Sequence, residues 1–524
     1  VVDEDLTKIL YYSVKFGVSE VIDLFKDIPL VCTATDQNSL LHLAVHDVKI
    51  VEKLLQFGTY LKCVNLRNKY GETPLHLASR LGYRDSMLVL IRFGSDFNSV
   101  NTNGLSPLHL ACQNGHTASI MVLIESGANL DGYANDGTTP LHLACQSGNG
   151  KCVEMLIRSG VKINVRNKDG ITPLHISCQT GNVEITEMLV RIGAEIDVLT
   201  SNGHTPLHVA CQNGHLECVD ILIKCGANVD RCSADGTTAL HLACQSGNGK
   251  CVEMLIRNAV NINVRNKNGI TPLHVSCQTG NVEITEILVR IGAEIDVLTN
   301  NGRTPLHLAC QNGHLECAEL LIQCGADINR YSEDGTTALH LACQSGSARC
   351  AELLIHCGTN INVPNKDGIT PLHVSCQTGN LEITEMLVHS GANVSALANT
   401  GPTPLHLASE NGHLKCVEFL IQCGADINRS SSDGTTALHS ACQSGSVDVV
   451  KMLLQLGAGI NVASSDGTTP LHLACEKGRD AVVRLLIECG ADATATNFDH
   501  MTPLGIALRE NHKQIVELLK RFHK

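Results

Sequence analysis

Apolar and polar positions alternate along this chain in a pattern that changes period twice within about thirty residues. Over residues 163–195, Leu174, Ser177 and Cys178 share one face at spacings of three and four, the signature of a short helix. Thr172 before Pro173 supplies its start: a cap for an orphan N–H, followed by a residue whose φ is already helical. Gly181 ends it. A second helix follows, with Glu184 in its first turn and Ile185, Met188 and Leu189 as its apolar stripe. Gly193 stands where the chain must turn left-handed, and Ile196-Asp197 leads through an extended stretch to a turn at Asn202-Gly203. The unit predicted is helix, turn, helix and a β-hairpin finger.

The same unit recurs. Histidine returns every 33 residues at 76, 109, 142, 175, 208, 241, 274, 307, 340, 373, 406, 439 and 472, with His42 standing 34 residues before the first. Around each lies a variant of Gly170-Ile171-Thr172-Pro173-Leu174-His175. A strict period of this length means one supersecondary unit stacked many times, whose product is surface rather than a catalytic pocket.

Composition agrees with stacking. The chain has 43% hydrophobic residues but no Trp and only 3% aromatics, so its core is expected in thin layers of Leu, Ile, Val, Ala and Cys. A net charge of −13 without a basic stripe argues against nucleic acid, and no apolar run approaches the roughly 18 residues of a membrane span. The start, Val1-Val2-Asp3-Glu4-Asp5, has neither an initiator Met nor the form of a signal peptide, so a longer parent chain is expected. Of 25 cysteines, eleven lie three residues after the motif His, six lie ten after and five lie seventeen after. Their exchange with Ala, Val or Ser between copies predicts free thiols acting as small apolar residues in a reducing cytosol.

Thr-Pro-Leu-His at 172–175, Gly-His-Leu-Glu at 214–217 and Gly-Ala-Asp-Ile-Asn at 325–329 resemble the ankyrin repeat in order and spacing, over nearly the whole chain. The resemblance implies an all-α solenoid: L-shaped units of antiparallel helices with projecting β-hairpin fingers, stacked into a curved superhelix. It divides the chain into a degenerate capping repeat at 1–35 (with Tyr11 in the His slot), contiguous repeats over 36–491, and a capping repeat at 492–524. About 16 units packed 8–10 Å apart are expected to extend roughly 130–160 Å along the arc.

Some copies depart from the pattern. The first His-bearing copy lacks two residues between Ala44 and Gly58 and gains three before Gly71, which predicts an irregular finger. Ala239, Ala338 and Ala437 replace the Pro, and Ala259 takes a glycine slot, which predicts a weak joint unless Asn258 adopts the left-handed conformation instead. The resemblance implies that the motif His ties its own Thr to the next unit; Gly505 stands in its place in the last copy.

A second period lies inside the first. Residues 136–158 and 235–257 differ only at Pro140 and Ala239, and 178–187 is identical to 277–286, an offset of 99 or three units. Finger chemistry therefore recurs every third layer, roughly every 25–30 Å. One class carries Arg166 and Lys168, repeated as Arg265 and Lys267; the next exposes Leu199, Leu298 and Leu397; the third carries Arg231, Arg330 and Arg429, with Tyr133 and Tyr331 nearby. Recent duplication explains this period, and so does an elongated or repetitive partner. These twelve residues are the candidate protein-binding positions, with inner-helix ends such as Gln113-Asn114, Gln146-Ser147 and Gln179-Thr180 beside them.

Catalytic, cofactor and metal sites are not expected. Zn ligands must lie within roughly 4.6 Å of one another, which a column of histidines one layer apart does not meet, and His142 with Cys145 supplies only two ligands. Gly148-Asn149-Gly150-Lys151-Cys152 echoes a P-loop without its first Gly, its Ser/Thr or a preceding strand. No one Cys–His pair is distinguished from its copies, as a nucleophile requires. Asn164, Asn263, Asn329 and Asn428 fall where the resemblance makes asparaginyl hydroxylation conceivable, but finger hydrogen bonds are the favoured account of them. The function expected is a protein–protein interaction scaffold, cytoplasmic and monomeric, with other proteins as partners and neither nucleic-acid binding nor membrane insertion. The alternatives are the cytoplasmic array of a larger membrane channel or anchoring protein, the recruiting arm of an enzyme, or an effector or toxin arm.

Overall fold

A computed structural model describes residues 12–18 and 37–522, so the degenerate unit expected over 1–35 lies outside the described residues apart from 12–18. The chain separates into two compact units, Val1–Asn261 and Ile262–Lys524. Within each, helices alternate as inner and outer members of successive pairs, such as Pro173–Thr180 with Val183–Arg191 and Pro305–Gln311 with Leu315–Gln323.

Each pair is set by its punctuation. Thr172 sits extended at φ −107°, Pro173 opens the inner helix, and Gly181 closes it in the left-handed region at φ 69°. Asn182 then caps the outer helix, its Oδ1 accepting the Ile185 N–H at 3.0 Å. Leu174, Ser177 and Cys178 are buried as the spacing predicts, and so are Ile185 and Leu189. Met188 is only half-buried, and Thr186 occupies the core in its stead. Its hydroxyl donates to Ser177 Oγ at 3.0 Å, and the same buried pair recurs as Thr285–Ser276 and Thr384–Ser375. A polar pair that satisfies itself can replace an apolar one in a core this thin.

The fingers form as tight turns in which strand pairing shrinks to isolated bridges at Cys232–Thr238 and Tyr331–Thr337, among the described residues. In one finger Asn167 closes the turn itself: its Oδ1 accepts the N–H groups of both Asp169 and Ile171. Gly170 stands at φ 75°, and a Cβ there would lie 3.0 Å from Thr200 Cα of the next finger. Fingers hold one another through single backbone bonds, Lys168 N–H to Asp136 O at 2.8 Å and Ser201 N–H to Asp169 O at 2.7 Å.

Two irregularities fall where the sequence places them. After Val48–Gln56 the chain leaves the helix extended at Phe57 and makes an extra turn, Gly58–Leu61, that buries Tyr60. Ala259 adopts φ 57° while Asn258 stays at −98°, so the alanine itself carries the left-handed turn.

The cysteines need one correction. Those three and ten residues after the motif His are buried, but Cys225, Cys324, Cys357 and Cys489, seventeen after it, are exposed and Cys423 partly so. They are C-cap residues of the outer helices, one position past the last turn that faces the core.

Candidate functional site

The side chains able to meet a partner emerge by subtraction, because most polar groups near the turns are already committed. Within each unit the motif imidazole lies between two layers. His208 Nδ1 accepts the Thr205 backbone N–H at 3.3 Å, and its Nε2 faces the Thr237 carbonyl of the next finger at 3.1 Å. The arrangement repeats from His42 to His175 in the first unit and from His307 to His472 in the second. A donor on one side and an acceptor on the other admit only the neutral imidazole with its proton on Nε2. Burial lowers the pKa of His42, His76, His109, His175, His208, His307 and His373 to about 4. Both ring nitrogens of His142 are spent in this way, and burial pushes its neighbour Cys145 well above the usual thiol range.

A second column ties the layers at the other end of the inner helices, and the sequence pattern did not single it out. Where the cap residue of an outer helix is Asn or His, it reaches back to a carbonyl of the preceding layer: Asn149 Nδ2 to Gly115 O, Asn182 Nδ2 to Gly148 O, His116 to Arg80 O and His215 to Gln179 O. The second unit repeats it with His314, Asn380, His413, Arg479 and His512. The target is a backbone carbonyl, which no residue type marks.

A third column accounts for the asparagines in the fingers. Asn164 Oδ1 accepts the Glu195 N–H, Asn263 the Glu294 N–H, Asn329 the Asn360 N–H and Asn428 the Gly459 N–H. Each therefore serves a finger hydrogen bond to the following layer.

Of the pair at each inner-helix end, only one member is left over. Asn114 Nδ2 donates to Leu110 O, Ser147 Oγ to Ala144 O and Thr180 Oγ1 to Ile176 O, so these close their own helices. The glutamines beside them (Gln113, Gln146 and Gln179) are exposed, and no hydrogen bond from the protein reaches their side chains. They line a trough of about 730 Å³ between the inner helices and fingers of the first unit, floored by Leu105, Leu143, Ile171 and Ile176. A counterpart of about 440 Å³ in the second unit contains Gln344 and Gln377 over Leu341, Ile369 and Val374.

The twelve finger residues are not equivalent. Arg166, Lys168, Arg231, Lys267, Arg330, Leu397, Arg429 and Tyr133 are exposed. Leu199 and Leu298 are half-buried, so the aliphatic tip is exposed only at Leu397. Arg265 is already occupied, donating from Nη2 to the Leu298 carbonyl at 2.6 Å. Tyr331, 67% exposed, meets Leu298, Val363, Pro364 and Lys366 around a largely apolar depression of about 520 Å³. The finger aspartates are local fixtures. Asp235 is held down to about 2, chiefly by the Ser233 hydroxyl.

Layered helix pairs bonded only to their sequence neighbours, with a polar trough and projecting tips, define a helical-repeat solenoid in each unit. A family model for ankyrin repeats (3 copies) matches residues 10–100, 82–167, 159–231, 174–266, 240–332, 330–398, 393–466 and 456–523. The chain belongs to the ankyrin repeat family, whose members are generally protein–protein interaction modules and form a non-catalytic fold. Among the solved structures similar to it is the human ASB11 ankyrin repeat domain, at 31% identity over 41% of this chain and 98% of that one, with a TM-score of 0.39. No curated protein matches. Among the described residues no helix is long and apolar enough to cross a membrane.

Proposed function

We propose that this chain is an adaptor that binds extended segments of partner proteins along the troughs and finger tips. It acts as a monomer in the cytoplasm and carries no catalysis of its own. One observation carries the reading: histidine, asparagine, serine and threonine side chains at the turns are consumed in holding layers together or closing their own helices, while glutamines such as Gln113, Gln146 and Gln179 stay uncommitted. The cytoplasm suits the buried thiol columns, and the capping roles assigned to 1–35 and 492–524 belong to the same proposal. Affinity on such a surface sums many modest contacts, with Tyr331 and Tyr133 as the strongest candidates for anchors.

The test is selection of binding peptides from a random display library on the intact chain, with the bound region mapped by hydrogen exchange. Protection is expected in the troughs or finger tips, and Gln113→Arg with Gln146→Arg and Gln179→Arg should weaken trough binders at least tenfold. Binders that protect only the outer helices, or that ignore the triple variant, would overturn the proposal.

A further inference from the structure

The residue four positions after the motif His is Gln in nine consecutive layers, 113, 146, 179, 212, 245, 278, 311, 344 and 377. Neighbouring positions follow the three-layer cycle instead: the next residue runs Asn114, Ser147, Thr180, then Asn213, Ser246, Thr279. Duplication of a three-layer block copies differences between layers faithfully, so it does not by itself make one exposed position uniform across all three. Nor does packing, since these glutamines are exposed apart from the half-buried Gln311, which Arg303 engages at 2.7 Å. A carboxamide offers two donors and an acceptor without charge, a set suited to peptide groups and indifferent to ligand charge.

We infer that each trough takes a partner segment in the polyproline-II conformation, one turn per layer. The inference rests on the reading of the trough as a binding face, and period decides the conformation. Layers are about 8–10 Å apart. A polyproline-II chain rises about 3.1 Å per residue and turns once in three, so every third residue returns to the same orientation after about 9.3 Å, and its carbonyls are free of internal bonds. A β-strand also advances about 10 Å in three residues, but its third residue points to the opposite side. An α-helix returns a face after about 10.5 Å in seven residues, but its carbonyls are already bonded. Only polyproline-II presents unpaired backbone acceptors to glutamine after glutamine in phase. The aliphatic floor at Leu105, Leu143, Ile171 and Ile176 fits pyrrolidine rings, and a segment already stiff loses little entropy on docking.

The experiment uses fluorescein-labelled oligoprolines of six, nine and twelve residues against the full chain, read by fluorescence anisotropy, with a Gly-Ser dodecamer as the flexible control. Affinity should climb with each added turn, and the control should not bind. Gln113→Ala, Gln146→Ala, Gln179→Ala and Gln212→Ala should each weaken the dodecamer about two- to tenfold, and the four together should abolish binding. Alanine at exposed helical positions preserves the helix, which an unchanged thermal melt would verify. No binding by the dodecamer, or binding untouched by the fourfold variant, overturns the inference. If library-selected peptides protect the trough while oligoprolines do not bind, the inference falls and the scaffold reading stands; if no peptide of any kind binds, both fall.

Discussion

A buried imidazole with both nitrogens engaged is a group that acid must disrupt. In the unfolded chain these histidines titrate near 6.5, whereas burial holds seven of them at about 4 in the folded one, so the unfolded state binds more protons between those values. Their contribution to stability is complete above about pH 6.5 and lost as pH falls towards 4. Thermal unfolding should show a Tm that drops steeply from pH 7 to pH 4.5, with uptake of more than one proton per molecule. A flat profile across that window would contradict the hydrogen-bonding scheme. At this scale the sequence was clear where chemistry repeats beside a known partner, as in Thr172 and His175. It was silent where the partner is a backbone carbonyl, as for Asn182 and Gly148 O. It misassigned Cys225 and its equivalents because residue type carries no information on helical phase.

Helices of seven to nine residues are too short to hold without caps, which is why most are bracketed by Thr-Pro, Gly, Asn or His. The exception at Ala259 makes the cost measurable. A non-glycine residue in the left-handed region costs about 1 kcal/mol, so Ala259→Gly should stabilise the chain by about that amount in urea titrations. The reverse change, Gly160→Ala at φ 85°, should destabilise it comparably. Helix starts and stops were legible because they depend on local φ and on single caps. The fingers were less so. Asn202-Gly203 reads as a hairpin signal, yet there the Thr200 hydroxyl accepts the His204 N–H and the turn closes without a ladder.

The three-layer period reaches positions no partner can touch, since Ser177–Thr186, Ser276–Thr285 and Ser375–Thr384 lie in the core. Duplication therefore suffices to explain periodic finger chemistry at Arg166 and Arg265, and the informative surface is the one that ignores the period. That distinction was in the sequence but not legible, because Gln113 and Asn114 look alike until one is seen bonded and the other not. The thiols give a check on the whole stack. In the native chain, iodoacetamide should modify Cys225, Cys232, Cys324, Cys357 and Cys489 rapidly and Cys423 more slowly, while Cys145, Cys178 and Cys277 react only in denaturant. Peptide mass spectrometry reads the order, and early labelling at 145 or 178 would mean the layers open independently. The ties between layers also have a direction. Each His hands its proton donor forward to the following finger, and the last copy, with Gly505, hands on nothing. Trimming from the front removes the carbonyls that Asn182 Nδ2, His215 Nε2 and the Ser201 N–H reach back to, whereas trimming from the back removes the carbonyl that a motif imidazole reaches forward to. Such an array therefore shortens cleanly only by excision between copies, where the layers on either side can re-form every tie.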